Sequence, residues 1–416
     1  MPPEQPMPAQ NTDDGSSARL ERIAMTAMAG IAIAFIVGLT ICTALRIWPF
    51  ERSGHPAMVD FVIFWEAGRL ALQGTPHFAY VPHVLHLAEV QTVGHDVPAS
   101  LQWLYPPLFL CVAVVLASLP FALSFALWNG ATFVTYAGVM TAITKRPVVG
   151  LAAAACPWAV DCLYIGQEGL LTASIIGGTL LLLNRRPALA GLLLGLLSFK
   201  PQLGLLFPVA LAFGGYWRAV LWASIGTLAW TAGSVAAFGP GTMFDFLHSL
   251  TSHTDGFLAR DEMGWYNLQS MYAFARGLGA PGIVCWLFQA FASMSCVVAI
   301  AALWRSNMPF CLKAAGLAAA IPVATPYVLV YDQTVLAVAL GFLIYQRRLD
   351  IPECATVAFS ILITSWAWSN NSAAALASVA VCAVVSRRIL LEKRSRSRGT
   401  SLGGEPGLHH AQAYAA

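Results

Sequence analysis

Long apolar runs, broken by short polar or proline-containing stretches, govern this chain. The first, Ile23–Leu45, is about 23 residues and long enough to cross a bilayer. Arg19 and Arg22 stand just before it, which places the preceding end in the cytoplasm. Later runs predict spans at Phe121–Ile143, Val148–Ile165, Leu170–Leu183, Ala219–Phe238, Gly282–Leu303, Cys311–Ala324, Thr334–Tyr345, Cys354–Trp368 and Ala373–Val385. The stretch on either side of Lys200–Pro201 is too long for one span and reads as two short helices meeting at the outer side. Leu104–Leu119 is apolar but short, and it is interrupted by Pro106–Pro107 and followed by Pro120. If it crossed, Lys145–Arg146 and Arg185–Arg186 would both face outward, against the positive-inside bias. As a re-entrant or interfacial hairpin it leaves every later basic cluster inside.

The expected fold is therefore an all-α polytopic membrane protein of about twelve transmembrane helices. Two external loops, about 46–120 and 239–281, carry interfacial helices. Residues 1–18 are polar and read as a disordered cytoplasmic segment, 19–391 as one transmembrane domain, and 392–416 as a basic disordered tail. That tail either is a solvated charge run or touches anionic lipid headgroups. No internal repeat is visible.

Composition agrees with this pattern. The 416 residues are 58% hydrophobic and only 10% charged, against about 25% charged for a soluble domain. A net charge of +3 without a basic–aromatic surface pattern argues against nucleic acid as a partner. The nine cysteines sit in apolar runs with no CxxC pair, so they read as small buried hydrophobes. The loop histidines lack metal-ligand spacing, His83 and His86 giving only a weak signal, and no metal or other cofactor is expected.

Candidate chemistry gathers at the outer ends of the spans. Asp60 lies among Val59, Phe61, Phe64 and Trp65 at a membrane boundary, an expensive place for an acid. It either serves a function there or caps the helix predicted at Phe61–Leu72. Glu66 and Arg69, three apart, neighbour each other on one helical face. Gln167, Glu168, Lys200, Asp332, Tyr105, Tyr327 and Tyr331 fall at the same side of the map, as does Asp161. Asp161 and Glu168 have a plainer reading as markers of the water boundary, and Asp332 as a turn residue. Lys200, between apolar half-helices, needs an anionic partner or a path to water. A cation plus a carboxylate at this interface suits transfer from a lipid-linked phosphate donor: the cation steadies the leaving phosphate and the carboxylate takes the proton of an attacking hydroxyl.

The order of DFVIFWEAG, YPPLF, GQEGLL, LAGLLLGLLSFKPQLGLLFP and TPYVLVYD resembles glycosyltransferase family 87 over roughly residues 20–350. That resemblance implies a GT-C architecture and a polyprenyl-phosphate-sugar-dependent transferase, alpha-mannosyltransferase-like, with no cofactor. It implies Asp60 as general base of an inverting transfer. Lys200 would face the donor phosphate; by their place on the map, Gln167, Glu168, Arg69, Tyr105, Tyr331 and Asp332 are the further candidates for donor or acceptor binding. The family pattern commonly has an uncharged residue where Glu168 stands. The implied setting is a bacterial inner membrane, with the site facing the periplasm and a glycan or glycolipid as acceptor. The alternatives are a multi-pass transporter or lipid flippase without covalent chemistry, and a surface-polysaccharide polymerase or ligase.

Overall fold

The computed structural model describes residues 40–57, 60–96, 102–154, 156–254, 267–367 and 372–401, with helical positions scattered between Arg19 and Gly38. Among these residues the structure is helical, apart from isolated bridges pairing Ile47 with Glu51 and Phe50 with Pro56.

Proline starts many of the helices and glycine ends several. Pro82, Pro107, Pro147, Pro157 and Pro187 each occupy a first helical position, where the missing N–H costs nothing. Gly94, Gly166 and Gly215 end helices in the left-handed conformation. The first helices are α1 (Phe61–Leu72), α2 (Pro82–Val93) and α3 (Pro107–Ala117). Then follow α4 (Phe121–Thr144), α5 (Pro147–Ala154), α6 (Pro157–Ile165), α7 (Gly169–Leu182) and α8 (Pro187–Leu196). The remainder are α9 (Phe207–Gly214), α10 (Trp217–Thr254), α11 (Met271–Gly277), α12 (Gly282–Arg305), α13 (Phe310–Ala324), α14 (Thr334–Gln346), α15 (Ile351–Ala367) and α16 (Ala375–Ser401).

Two of these, α10 over Trp217–Thr251 and α12, are long and apolar enough to cross a membrane alone. The bent pair α5–α6 adds a third if it is one span. Its 57° bend replaces the single straight helix expected over Val148–Ile165, because Pro157 breaks the hydrogen-bond ladder. Several other apolar helices are short, in the range of 10–17 residues. One of them, α3, has 11 residues and is about 16 Å long, half the hydrocarbon core, so it cannot span alone. The expected break at Lys200–Pro201 is present: a 3₁₀ turn at Leu197–Phe199 precedes it and a short helix, Pro201–Gly204, follows.

Two boundaries differ from expectation. The span expected to end at Phe238 continues as helix to Thr254, kinked at Gly239–Pro240. The last helix, α16, runs on to Ser401, past residue 392, where the sequence suggests an unfolded tail; Arg396 pairs with Glu392 one turn back. The expected disordered segment 1–18 and the end of the tail lie outside the described residues.

The outer surface is apolar at helical spacing. On α12, Ile283, Leu287, Phe291, Met294 and Val298 form one exposed stripe, Phe291 being 72% exposed. In water such a stripe is a liability; in lipid it is ordinary. The molecule is polar at two opposite ends. The amino-terminal ends of α7 and α14 meet at Gly169 and Thr334, where the Thr334 hydroxyl donates to the Gly169 carbonyl at 2.9 Å. At the other end of α14, Arg388 makes a two-pronged pair with Glu353 at 2.7 and 2.6 Å and donates to the Leu343 carbonyl at 2.8 Å. This buried clamp ties α14, α15 and α16 together.

Candidate active site

Helix α1 positions Asp60. Its residues Phe61, Val62, Phe64 and Ala67 are fully buried, and a helix buried nearly all round cannot rotate without breaking its packing. Phe61 and Phe64 meet Phe125, Phe121, Tyr105 and Phe109 edge-on with centroids 5.3–5.5 Å apart. Asp60 stands at the head of this helix, yet its carboxylate makes no capping bond. Instead its Oδ2 accepts from Gln167 Nε2 at 2.9 Å. Capping does not explain this acid.

The GQEG turn delivers that partner. Gly166 ends α6 at φ +75°, a conformation costly for any residue with a Cβ, and an added Cβ would lie 2.6 Å from Phe61 Cβ. Its carbonyl accepts from Trp128 Nε1 at 2.9 Å. Gly169 lies so close to the Tyr331 carbonyl that no side chain fits between them. Both glycines therefore press the turn between α1 and the 325–333 segment, leaving Gln167 facing Asp60 and Glu168 facing Lys200.

From there a chain of contacts runs across the site. The Tyr105 hydroxyl donates to Glu168 Oε2 at 2.8 Å and lies 3.3 Å from Gln167 Oε1. Lys200 Nζ pairs with Glu168 and, at 2.7 Å, with Asp332 Oδ1. Its ammonium also sits 4.7 Å from the Tyr331 ring centroid. Asp332 Oδ2 accepts from the Leu329 backbone at 3.0 Å. Lys200, Glu168 and Asp332 are all buried, one cation between two acids. Glu168 immediately precedes α7 and Asp332 lies just before α14, so two helix amino termini help offset the surplus negative charge.

The structure thus joins Asp60, Gln167, Tyr105, Glu168, Lys200, Asp332 and Tyr331 in one cluster. Arg69 is not in it. Its Nε donates to Glu66 Oε2 at 2.8 Å, and Glu66 also accepts the Thr92 hydroxyl. Burial pushes the Asp60 carboxyl up to about 6; the Gln167 hydrogen bond pulls it back, and the charge of Glu168 adds to the rise.

One buried acid was not among the candidates from sequence. Glu89, on α2, is fully buried, and neither carboxylate oxygen has a hydrogen-bond partner among the described residues. Burial, then the charges of Glu66 and Asp60, push it up to about 8. Its signal was present: Glu89 shares the apolar stripe of Leu85, Ala88 and Val93. Among the described residues no three His, Cys, Asp or Glu side chains gather as a metal ion would require.

Residues 103–331, more than half of the chain, match the model of glycosyltransferase family 87. The match takes in Tyr105, Gln167, Glu168, Lys200 and Tyr331, stops one residue short of Asp332, and begins after Asp60. No curated protein and no solved structure matches the chain. With a family match of this extent laid over the cluster and apolar helices turned outward, the chain belongs to glycosyltransferase family 87, enzymes that move a sugar from a donor to an acceptor.

Proposed function

We propose that this glycosyltransferase has the GT-C fold, with about twelve spans in a single domain over 19–391. It moves a hexose, mannose by family resemblance, from a polyprenyl-phosphate donor to a glycan or glycolipid acceptor. The setting is the outer face of a bacterial inner membrane. Asp60 acts as general base, and one observation carries that role: its carboxylate is released from capping duty and held by Gln167, with the second oxygen unpartnered among the described residues.

In the transfer, the acceptor hydroxyl gives its proton to Asp60 Oδ1 while its oxygen attacks the anomeric carbon. The bond from that carbon to the phosphate oxygen breaks, and polyprenyl phosphate leaves with the electron pair, inverting the centre. Lys200 reaches the phosphate only by giving up Glu168 or Asp332, so donor entry exchanges one ion pair for another. A carrier would hold its ions at the bilayer midplane. A cluster at the amino-terminal ends of α7 and α14, away from the basic end of α14, speaks for an enzyme. The test is transfer by purified protein from a panel of polyprenyl-phosphate sugars: turnover with at least one supports the reading, and binding without turnover of any supports a carrier.

A further inference from the structure

Away from the cluster, α12, α13 and α16 leave a groove of about 510 Å³ between them, within the roughly 300–1,000 Å³ range of ligand sites. Its walls are Phe288, Ala292, Ala299 and Leu303 on α12, Ala320 on α13, and Val379, Cys382 and Val385 on α16, several of them exposed at the outer surface. The two ends differ in character. The end nearer the candidate active site is lined by Met271, Phe288, Val323 and Val379, all apolar. The far end carries Ser306, Ser386 and Lys393.

Lys393 is the informative residue. Of the basic residues around it, Arg388 and Arg387 hold Glu353, Arg387 also holds Asp350, and Arg396 holds Glu392 and the Asn307 carbonyl, while Arg394 does not line the groove. Among the described residues the Lys393 ammonium has no partner, and it stands where the groove turns polar. Along α16 the lining runs from Val379 to Lys393, about 21 Å at 1.5 Å per residue. One leaflet is about 15 Å of hydrocarbon plus about 6 Å of headgroup. The groove therefore has the length and polarity of one leaflet's lipid, tail toward the active-site end and head at Lys393.

We propose that this groove binds one anionic phospholipid of the leaflet opposite the active site, an acyl chain along α12 and α16 and the phosphate on Lys393. The sugar donor itself fits poorly, because its phosphate would have to sit at the wholly apolar end. The proposal is independent of the transfer chemistry, so a failure of either leaves the other standing.

The test is native mass spectrometry of the full-length protein, purified in mild detergent and titrated with phosphatidylglycerol or with phosphatidylcholine of the same chains. Wild type is expected to retain one phosphatidylglycerol and to gain thermal stability from it, and to retain phosphatidylcholine at least several-fold less. Lys393→Glu removes that preference. Ala299→Phe, which fills the groove from an exposed position, lowers retention of both lipids while the protein stays folded by circular dichroism. Equal retention of the two lipids by wild type, an unchanged preference in Lys393→Glu, or displacement of the bound lipid by a polyprenyl phosphate would each overturn it.

Discussion

Asp60 offers one oxygen to Gln167 and keeps the other, which is the arrangement a general base needs: oriented, but not used up. With its carboxyl raised to about 6 by burial, Asp60 is ionised at neutral pH and protonated, with no free site for a further proton, in mild acid. The transfer rate should therefore fall as pH drops through about 6. Gln167→Met, which removes the hydrogen bond favouring the ionised form, should move that acid limb to higher pH; a limb that does not move would separate Gln167 from Asp60. Glu89 makes a second pH signature, in stability. Its folded-state carboxyl is raised from 4.5 to about 8, so the native state binds the extra proton, and stability falls as pH rises from about 4.5 through 8. Glu89→Gln should flatten that fall in thermal scans at pH 5 and pH 8, and an unchanged slope would count against it. Asp60 was visible in the sequence as an acid in aromatic company, though its competing role as a cap could be dismissed only when Gln167 appeared across the site, 107 residues away.

Two glycines and a proline set the elements of the site. Gly166→Ala places a Cβ in the left-handed region, roughly 1–2 kcal/mol unfavourable, and drives it against Phe61. The variant is expected to be both less stable and poorly active, because Gln167 is carried by the same turn; full activity would mean the turn does not position it. Pro201, with no N–H to give, breaks the apolar stretch and lets Lys200 turn inward. That break could be read from the chain, since proline and charge coincide there. The kink of α5–α6 and the continuation of α10 past Gly239 were not read correctly, because hydropathy reports burial or lipid contact and not where a helix bends. Arg69 shows the same limit at smaller scale. Its pairing with Glu66 follows from helical spacing, but spacing alone could not say that the pair faces Thr92 and not Asp60.

The whole molecule separates chemistry from anchorage. Acids, tyrosines and Lys200 lie where α7 and α14 begin, and the Glu353–Arg388 clamp lies where α14 ends, with apolar helix faces between. Both clamp partners are almost completely buried, so Arg388→Ala leaves Glu353 only the more exposed Arg387 and Arg347 and should cost about 1.5–3 kcal/mol of stability. The readout is denaturation in detergent, and a loss under about 1 kcal/mol would show that Arg387 and Arg347 replace it. Which end holds the clamp and which the site was legible from the spacing of arginines along the chain; that three helices share one buried arginine was not, since Arg387 and Arg388 look alike in sequence. The proposed transfer depends most directly on Asp60, and the direct measurement is sugar transfer by purified Asp60→Asn, with an unchanged circular dichroism spectrum and melting profile as the control. The neutral amide preserves size and the contact with α1 but cannot take a proton, so turnover should drop by about 10²-fold or more. Near-normal turnover by a folded Asp60→Asn protein would contradict the assignment.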